Sequence, residues 1–115
     1  MNNIIVVKSK AFAIRIINMY KYLTQTKNEH IMSKQLLKSG TSIGANIKEG
    51  IRGQSKSDFY SKLNIALKEA SETEYWLEIL FETDYIDKKM FDSVYADCQE
   101  LIKILVSITK TQNQL

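Results

Sequence analysis

Four segments of this 115-residue chain carry apolar residues at alternating three- and four-residue spacing, and no proline interrupts any of them. That spacing is the period of a helix buried along one face. A proline inside such a helix removes a hydrogen bond and costs about 3 kcal/mol, so a chain without one is free to build long helices. The stripes run Ile5, Phe12, Ile16, Met19, Leu23; then Leu36, Gly40, Ile43, Ile47; then Phe59, Leu63, Ala66, Ala70, Leu77 with Leu80 or Phe81; then Phe91, Val94, Cys98, Leu101, Leu105, Ile108. They predict helices at roughly 4–24, 29–53, 56–83 and 87–110, each about 30–42 Å long at 1.5 Å per residue. The breaks between them are short, which forces antiparallel neighbours. The expectation is an all-α, up-down-up-down four-helix bundle, one domain over residues 1–115.

The breaks carry helix punctuation. Asn28 is a candidate N-cap for the second helix, with Glu29 favourable in its first turn. Gly50 and Gly53, followed by Ser55 and Ser57, mark its end. Ser55-x-x-Asp58 resembles a capping box for the third helix, and Asp87 caps the fourth, with Ile86 and Phe91 placed as a hydrophobic staple. Residues 109–115 form a polar tail expected to fray.

The second helix holds an energetic anomaly in Ser39-Gly40-Thr41-Ser42-Ile43-Gly44-Ala45-Asn46-Ile47-Lys48-Glu49-Gly50. Each interior glycine costs about 0.5–1 kcal/mol of helix stability relative to alanine. Gly40 and Gly44 therefore imply a neighbouring helix at close approach. Ser39, Ser42, Asn46 and Glu49 thread one flank of the same helix. Polar groups in a half-buried seam need hydrogen-bond partners. Lys68, the Tyr75 hydroxyl and Arg52 are the expected ones, in a network that fixes helix register.

Helices one and four also show second apolar stripes: Val6, Ala13, Ile17 and Tyr20 in one, Tyr95, Ile102 and Val106 in the other. Ile14 and Ile104 lie beyond even those. This exceeds what a four-helix core requires and predicts self-assembly.

Charge is unevenly placed although the net value is only +3. Residues 1–57 hold ten Lys/Arg against two acids, and residues 58–115 hold six against eleven. The candidate phosphate contacts are Lys8, Lys10, Arg15, Lys21, Lys34, Lys38, Lys48, Arg52 and Lys56. A basic face of this kind binds phosphates, meets the acidic face of another copy, or is simply solvated. With two arginines in the chain, base-specific readout is poorly provisioned, so nucleic acid would be held by its backbone.

Reaction chemistry finds little to use. A di-iron bundle needs Glu-x-x-His motifs, and the one histidine, His30, has no glutamate three residues before it. Cys98 occupies a core position, where a small hydrophobe belongs. Gly40-x-x-x-Gly44 lies within a helix and is not a phosphate loop. Tyr20, Tyr22, Tyr60, Tyr75, Trp76, Tyr85 and Tyr95 fit bundle and subunit interfaces better than base stacking. No metal, cofactor or enzymatic activity is expected. A lone cysteine, no signal peptide and no apolar run of bilayer length point to a cytoplasmic protein without membrane contact.

The string from Ser39 to Gly50 resembles the signature of the bacterial 23S rRNA intervening-sequence-encoded proteins, known as four-helix-bundle proteins. Asp58-Phe59, Ile65-Ala66-Leu67-Lys68-Glu69-Ala70, Glu72, Tyr75-Trp76-Leu77 and Leu80 are similar to that family as well. Lys48 departs from the small residue common before the Glu-Gly pair, and the first interhelical loop lacks a proline usual there. The resemblance implies a bundle assembled as a homopentamer. It also implies kinship with the accessory protein of diversity-generating retroelements, which binds nucleic acid and a reverse transcriptase, and with relatives labelled ribosomal. The function expected is a non-enzymatic oligomer that binds RNA or DNA or serves as an RNA-associated accessory factor; the alternative is a purely protein-binding scaffold.

Overall fold

The computed structural model describes residues 3–114. Helix α1 spans Asn3–Gln25, α2 Met32–Ile51, α3 Lys56–Glu82 and α4 Lys88–Lys110. They pack α1 on α2, α2 on α3, α3 on α4 and, more sparsely, α4 on α1. The result is the antiparallel four-helix bundle, 47 Å long and 20 Å across. The core is continuous along that length. Ile5, Phe12, Ile16 and Leu23 of α1 meet Leu36, Ile43 and Ile47 of α2, Leu63, Leu77 and Leu80 of α3, and Cys98, Leu101 and Leu105 of α4. Cys98 is fully buried, its thiol contacting the Ala70 carbonyl at 3.4 Å. Burial, with Glu74 and Glu78 adding negative potential, pushes its pKa up to about 12. It remains a thiol at neutral pH.

The start of α2 differs from the sequence expectation. The helix begins at Met32, and Asn28 does not cap it; Asn28 has a left-handed φ of 54° and turns the chain. Glu29 does the capping. Its carboxylate accepts from the backbone N–H groups of Ile31, Met32 and Ser33, at 3.2, 3.1 and 2.7 Å. The Ser33 hydroxyl in turn donates to the Glu29 carbonyl at 2.8 Å. A glutamate reaching forward thus satisfies three of the donors that every helix N-terminus leaves open. Burial raises the Glu29 pKa, but the backbone donors outweigh it and hold the carboxyl below its ordinary value of 4.5.

The other two caps follow the sequence. Ser55 Oγ accepts from Asp58 N–H at 3.1 Å, although the Asp58 carboxylate returns to Gln54 N–H and not to Ser55. Asp87 accepts from Met90 N–H at 2.8 Å. The tail expected to fray continues as a 3₁₀ turn over Thr111–Gln114; Leu115, also in that tail, lies outside the described residues.

Gly40 and Gly44 explain the approach of α2 to α1. A Cβ at Gly40 would stand 2.7 Å from Ile16 Cγ1 and 2.8 Å from Cγ2. At Gly44 it would stand 3.3 Å from Ser9 Oγ and 3.4 Å from the Ser9 carbonyl oxygen. The contact is therefore much tighter at Gly40. Gly40→Ala is expected to cost about 1–3 kcal/mol through overpacking, and less in an Ile16→Ala background, whereas Gly44→Ala stays near neutral. Urea unfolding of the four variants measures this coupling.

Glu29→Ala should cost about 1–2 kcal/mol at pH 7, the scale of a lost N-cap. Because the folded pKa is depressed, the contribution is complete above the unfolded value. It disappears as pH falls through the folded one. The gap between Glu29→Ala and the parent should therefore narrow as pH falls below the ordinary carboxyl value of 4.5, read by thermal unfolding across pH.

Candidate nucleic-acid interface

The basic residues separate by what they touch. Lys8 pairs with Glu100 at 3.0 Å. Arg15 pairs with Asp97 at 2.7 Å and also donates to the Ser93 hydroxyl and carbonyl. Both bind α1 to α4 across the sparsest of the helix contacts, so two of the nine candidate phosphate contacts are already engaged. Lys10, Lys21, Lys34, Lys38, Lys48, Arg52 and Lys56 form no ion pair among the described residues. Lys38 lies within electrostatic reach of Glu69.

Four of these free cations fall on one side of α2. Positions 34, 38, 41, 45, 48 and 52 alternate four- and three-residue steps, which keeps them in line along a helix. Lys34, Lys38, Lys48 and Arg52 are exposed there, with half-buried Thr41 and exposed Ala45 between the two pairs. From Lys34 to Arg52 the row runs about 27 Å at 1.5 Å per residue. It faces away from the core stripe of Leu36, Gly40, Ile43 and Ile47.

A groove of about 620 Å³ runs between α1 and α2 beside that row. Val6, Ala13 and Ile51 supply apolar wall, Gly44 and Ala45 lie in its lining, and Lys10, Lys48 and Arg52 supply the charge. Three cations share this groove with no carboxylate in its lining. Small residues at 44 and 45 keep it open, so the glycine that admits α1 also shapes the surface.

The polar flank of α2 is dispersed into separate contacts. Ser39 is buried, and its hydroxyl lies 2.9 Å from that of Thr73 on α3, itself 2.8 Å from the Glu69 carbonyl. Ser42 donates to the Lys38 carbonyl at 2.6 Å, and the Asn46 amide donates to the Ser42 carbonyl at 2.8 Å. Glu49 pairs with Lys62 at 3.1 Å. Tyr75, Lys68 and Arg52, the partners expected from sequence, take no part; Tyr75 is 54% exposed. Only Ser39 and Glu49 therefore reach α3 by hydrogen bond or ion pair, with Glu69 close enough to Ser42 to be influenced by it. Burial, then Glu72, raise the Glu69 pKa against the opposing effects of Lys38 and Ser42.

Thr73 was not foreseen. Its signal was legible, since it stands at core spacing between Ala70 and Leu77, where a hydroxyl needs a partner.

A second polar group joins α3 to α4. Tyr95 donates to Glu78 at 2.6 Å, and the Gln99 amide donates to Glu74. That hydrogen bond, then burial, raise the Tyr95 pKa, so the phenol stays protonated. Among the described residues no three His, Cys, Asp or Glu converge to hold a metal ion, and no helix is long and apolar enough to cross a membrane.

The arrangement has relatives. Residues 1–107 match the model of the 23S rRNA-intervening sequence protein family. The chain belongs to that family. A solved structure from Bacteroides thetaiotaomicron VPI-5482, described as a protein of unknown function from the S23 ribosomal protein family, is 55% identical. It superposes with a TM-score of 0.91 over 92% of this chain and 98% of its own. No curated protein matches. For this member of the 23S rRNA-intervening sequence proteins, Ser39 and Thr73 should act as a pair. Thr73→Val removes the hydroxyl contact and leaves the buried Ser39 hydroxyl donating to the Leu36 carbonyl at 3.3 Å, and should cost about 0.5–1.5 kcal/mol. Adding Ser39→Ala should then cost less than the sum of the two single changes in chemical denaturation.

Proposed function

We propose that this chain is a non-enzymatic, oligomeric accessory protein that binds nucleic acid by its phosphate backbone in an RNA-associated setting. The observation that carries the reading is the exposed row Lys34, Lys38, Lys48 and Arg52, free of ion pairs and opposite the core. Lysines spaced along a straight helix act as point charges toward phosphates and select no base sequence. Lys10, which lines the groove with Lys48 and Arg52, extends the same basic side. The family name supports an RNA context, and the resemblance to pentameric relatives supports assembly, which would multiply a weak row by avidity.

A second reading has its own support. The apolar wall of Val6, Ala13 and Ile51 in the α1–α2 groove suits a protein partner, a reverse transcriptase included, better than a phosphate chain.

Fluorescence anisotropy with duplex RNA and single-stranded DNA at about 50 and 200 mM salt separates the two. Four contacts predict a log–log salt slope near −3 to −4. Lys48→Ala with Arg52→Ala should flatten that slope by about 2. Lys8→Ala, which removes a cation already paired with Glu100, should leave it unchanged. Absence of binding at the lower salt, or affinity indifferent to salt, favours the protein scaffold.

A further inference from the structure

We propose that the α1–α2 groove selects single-stranded over double-stranded nucleic acid. A flexible strand lays its phosphates along the α2 cations and its unstacked bases on the apolar wall of the groove. This rests on the phosphate-binding reading above and adds which form of nucleic acid is held.

The α2 row is interrupted. Lys34 and Lys38 are about 6 Å apart along the helix at 1.5 Å per residue, as are Lys48 and Arg52, but about 15 Å separates Lys38 from Lys48. Thr41 and Ala45 in that interval carry no charge. Helix α1 fills the gap. A Cβ at Gly44 would stand 3.4 Å from the Ser9 carbonyl oxygen, so Ser9 lies level with the interval, and Lys10 is the next residue. Lys10 is exposed, forms no ion pair among the described residues and lines the groove together with Lys48 and Arg52. A phosphate chain that uses all five cations therefore leans from α2 toward α1 at mid-length.

The flanks of the row favour the same side. Toward α3, Glu49 is held by Lys62 at 3.1 Å, and Glu69 lies within electrostatic reach of Lys38. Toward α1 there is no counterpart: Asn3–Gln25 contains no acid, and no carboxylate lines the groove. A polyanion meets carboxylates on one side only.

Leaning toward α1 carries the strand over Val6, Ala13, Ala45 and Ile51. Ala45 and Ile51 are exposed, and Gly44 between them adds no side chain to the floor. At about 620 Å³ the groove has the size that encloses small-molecule ligands, ample for a base. A duplex keeps its bases paired and stacked, so it reaches this surface with its charged backbone alone. A single strand can splay its bases outward and cover the apolar wall. The wall is aliphatic and holds no aromatic ring, so it takes any base and selects the unpaired form, not a sequence.

Fluorescence anisotropy of the full chain tests this with a labelled uridine homopolymer of about 16 nucleotides, the upper site size of a single-strand module, and an RNA duplex of the same length. Charge alone favours the duplex, which carries two phosphate backbones. The groove instead predicts that the single strand binds about 5- to 10-fold tighter, near the low end for one covered base. A45Q/I51Q makes the wall polar without altering charge, and both positions are exposed; circular dichroism confirms the helical fold. The variant should lose the preference, its single-strand affinity falling toward that for duplex. K10A should flatten the single-strand salt slope by about 0.7, and the duplex slope by less. Duplex bound as tightly as the single strand overturns the inference. So does a preference that survives A45Q/I51Q, or a K10A effect equal on both forms. Failure of either form to bind at low salt gives the groove to a protein partner and overturns the phosphate-binding reading too, whereas the preceding outcomes leave that reading standing.

Discussion

The close approach of α2 to α1 at Gly40 is the contact on which the remaining surfaces depend. Ile16 occupies the volume that a Cβ at position 40 would need, with its nearest carbon only 2.7 Å from that point. Such a contact fixes the rotation of α2 about its own axis. Turning α2 would withdraw Gly40 from Ile16 and drive Thr41 or Ser39 into the same space. Once the rotation is fixed, Ser39 must face Thr73 on one side and Gly44 must face Ser9 on the other. Lys34, Lys38, Lys48 and Arg52 must then point into solvent. A glycine chosen for packing thus decides where the free charge of the molecule lies.

Ion pairing completes that sorting. The first half of the chain is strongly basic, and a basic helix needs some neighbour of opposite sign. Helix α4 supplies it to α1 through Glu100 and Asp97. These pairs are exposed, and each contributes little to stability. Their larger effect is on the surface, because they remove Lys8 and Arg15 from the cations available to a ligand. Helix α2 spans Met32–Ile51 and contains one acid, Glu49, which faces Lys62. Its row of cations consequently forms no ion pair among the described residues.

The helices were legible because four apolar stripes repeat without proline, and the close packing of α2 because glycine inside a helix requires a reason. The caps at Ser55 and Asp87 follow from local residue type. The cap at Glu29 does not, since it needs the left-handed turn at Asn28 to bring the carboxylate over the N-terminus of α2. The polar flank misled for a related reason. Serine and asparagine in a helix can return their hydrogen bonds to the preceding turn, as Ser42 and Asn46 do. Their spacing beside the core therefore did not require partners across it. Exposure was the least legible property. Ile14 and Ile104 read alike, yet Ile104 packs against the core and Ile14 remains exposed, and only the packing of α1 against its neighbours separates them.

A surface divided in this way limits what one chain can do alone. Phosphate contacts made by four exposed lysine and arginine side chains give weak, salt-sensitive binding, because each is screened and pays side-chain entropy to hold its place. Linking several copies converts later contacts into intramolecular ones and raises apparent affinity without any new interaction. Val7 and Ile14 remain exposed on α1 while the free cations lie along the outward side of α2, so the exposed apolar groups and the charged row occupy separate surfaces of one bundle.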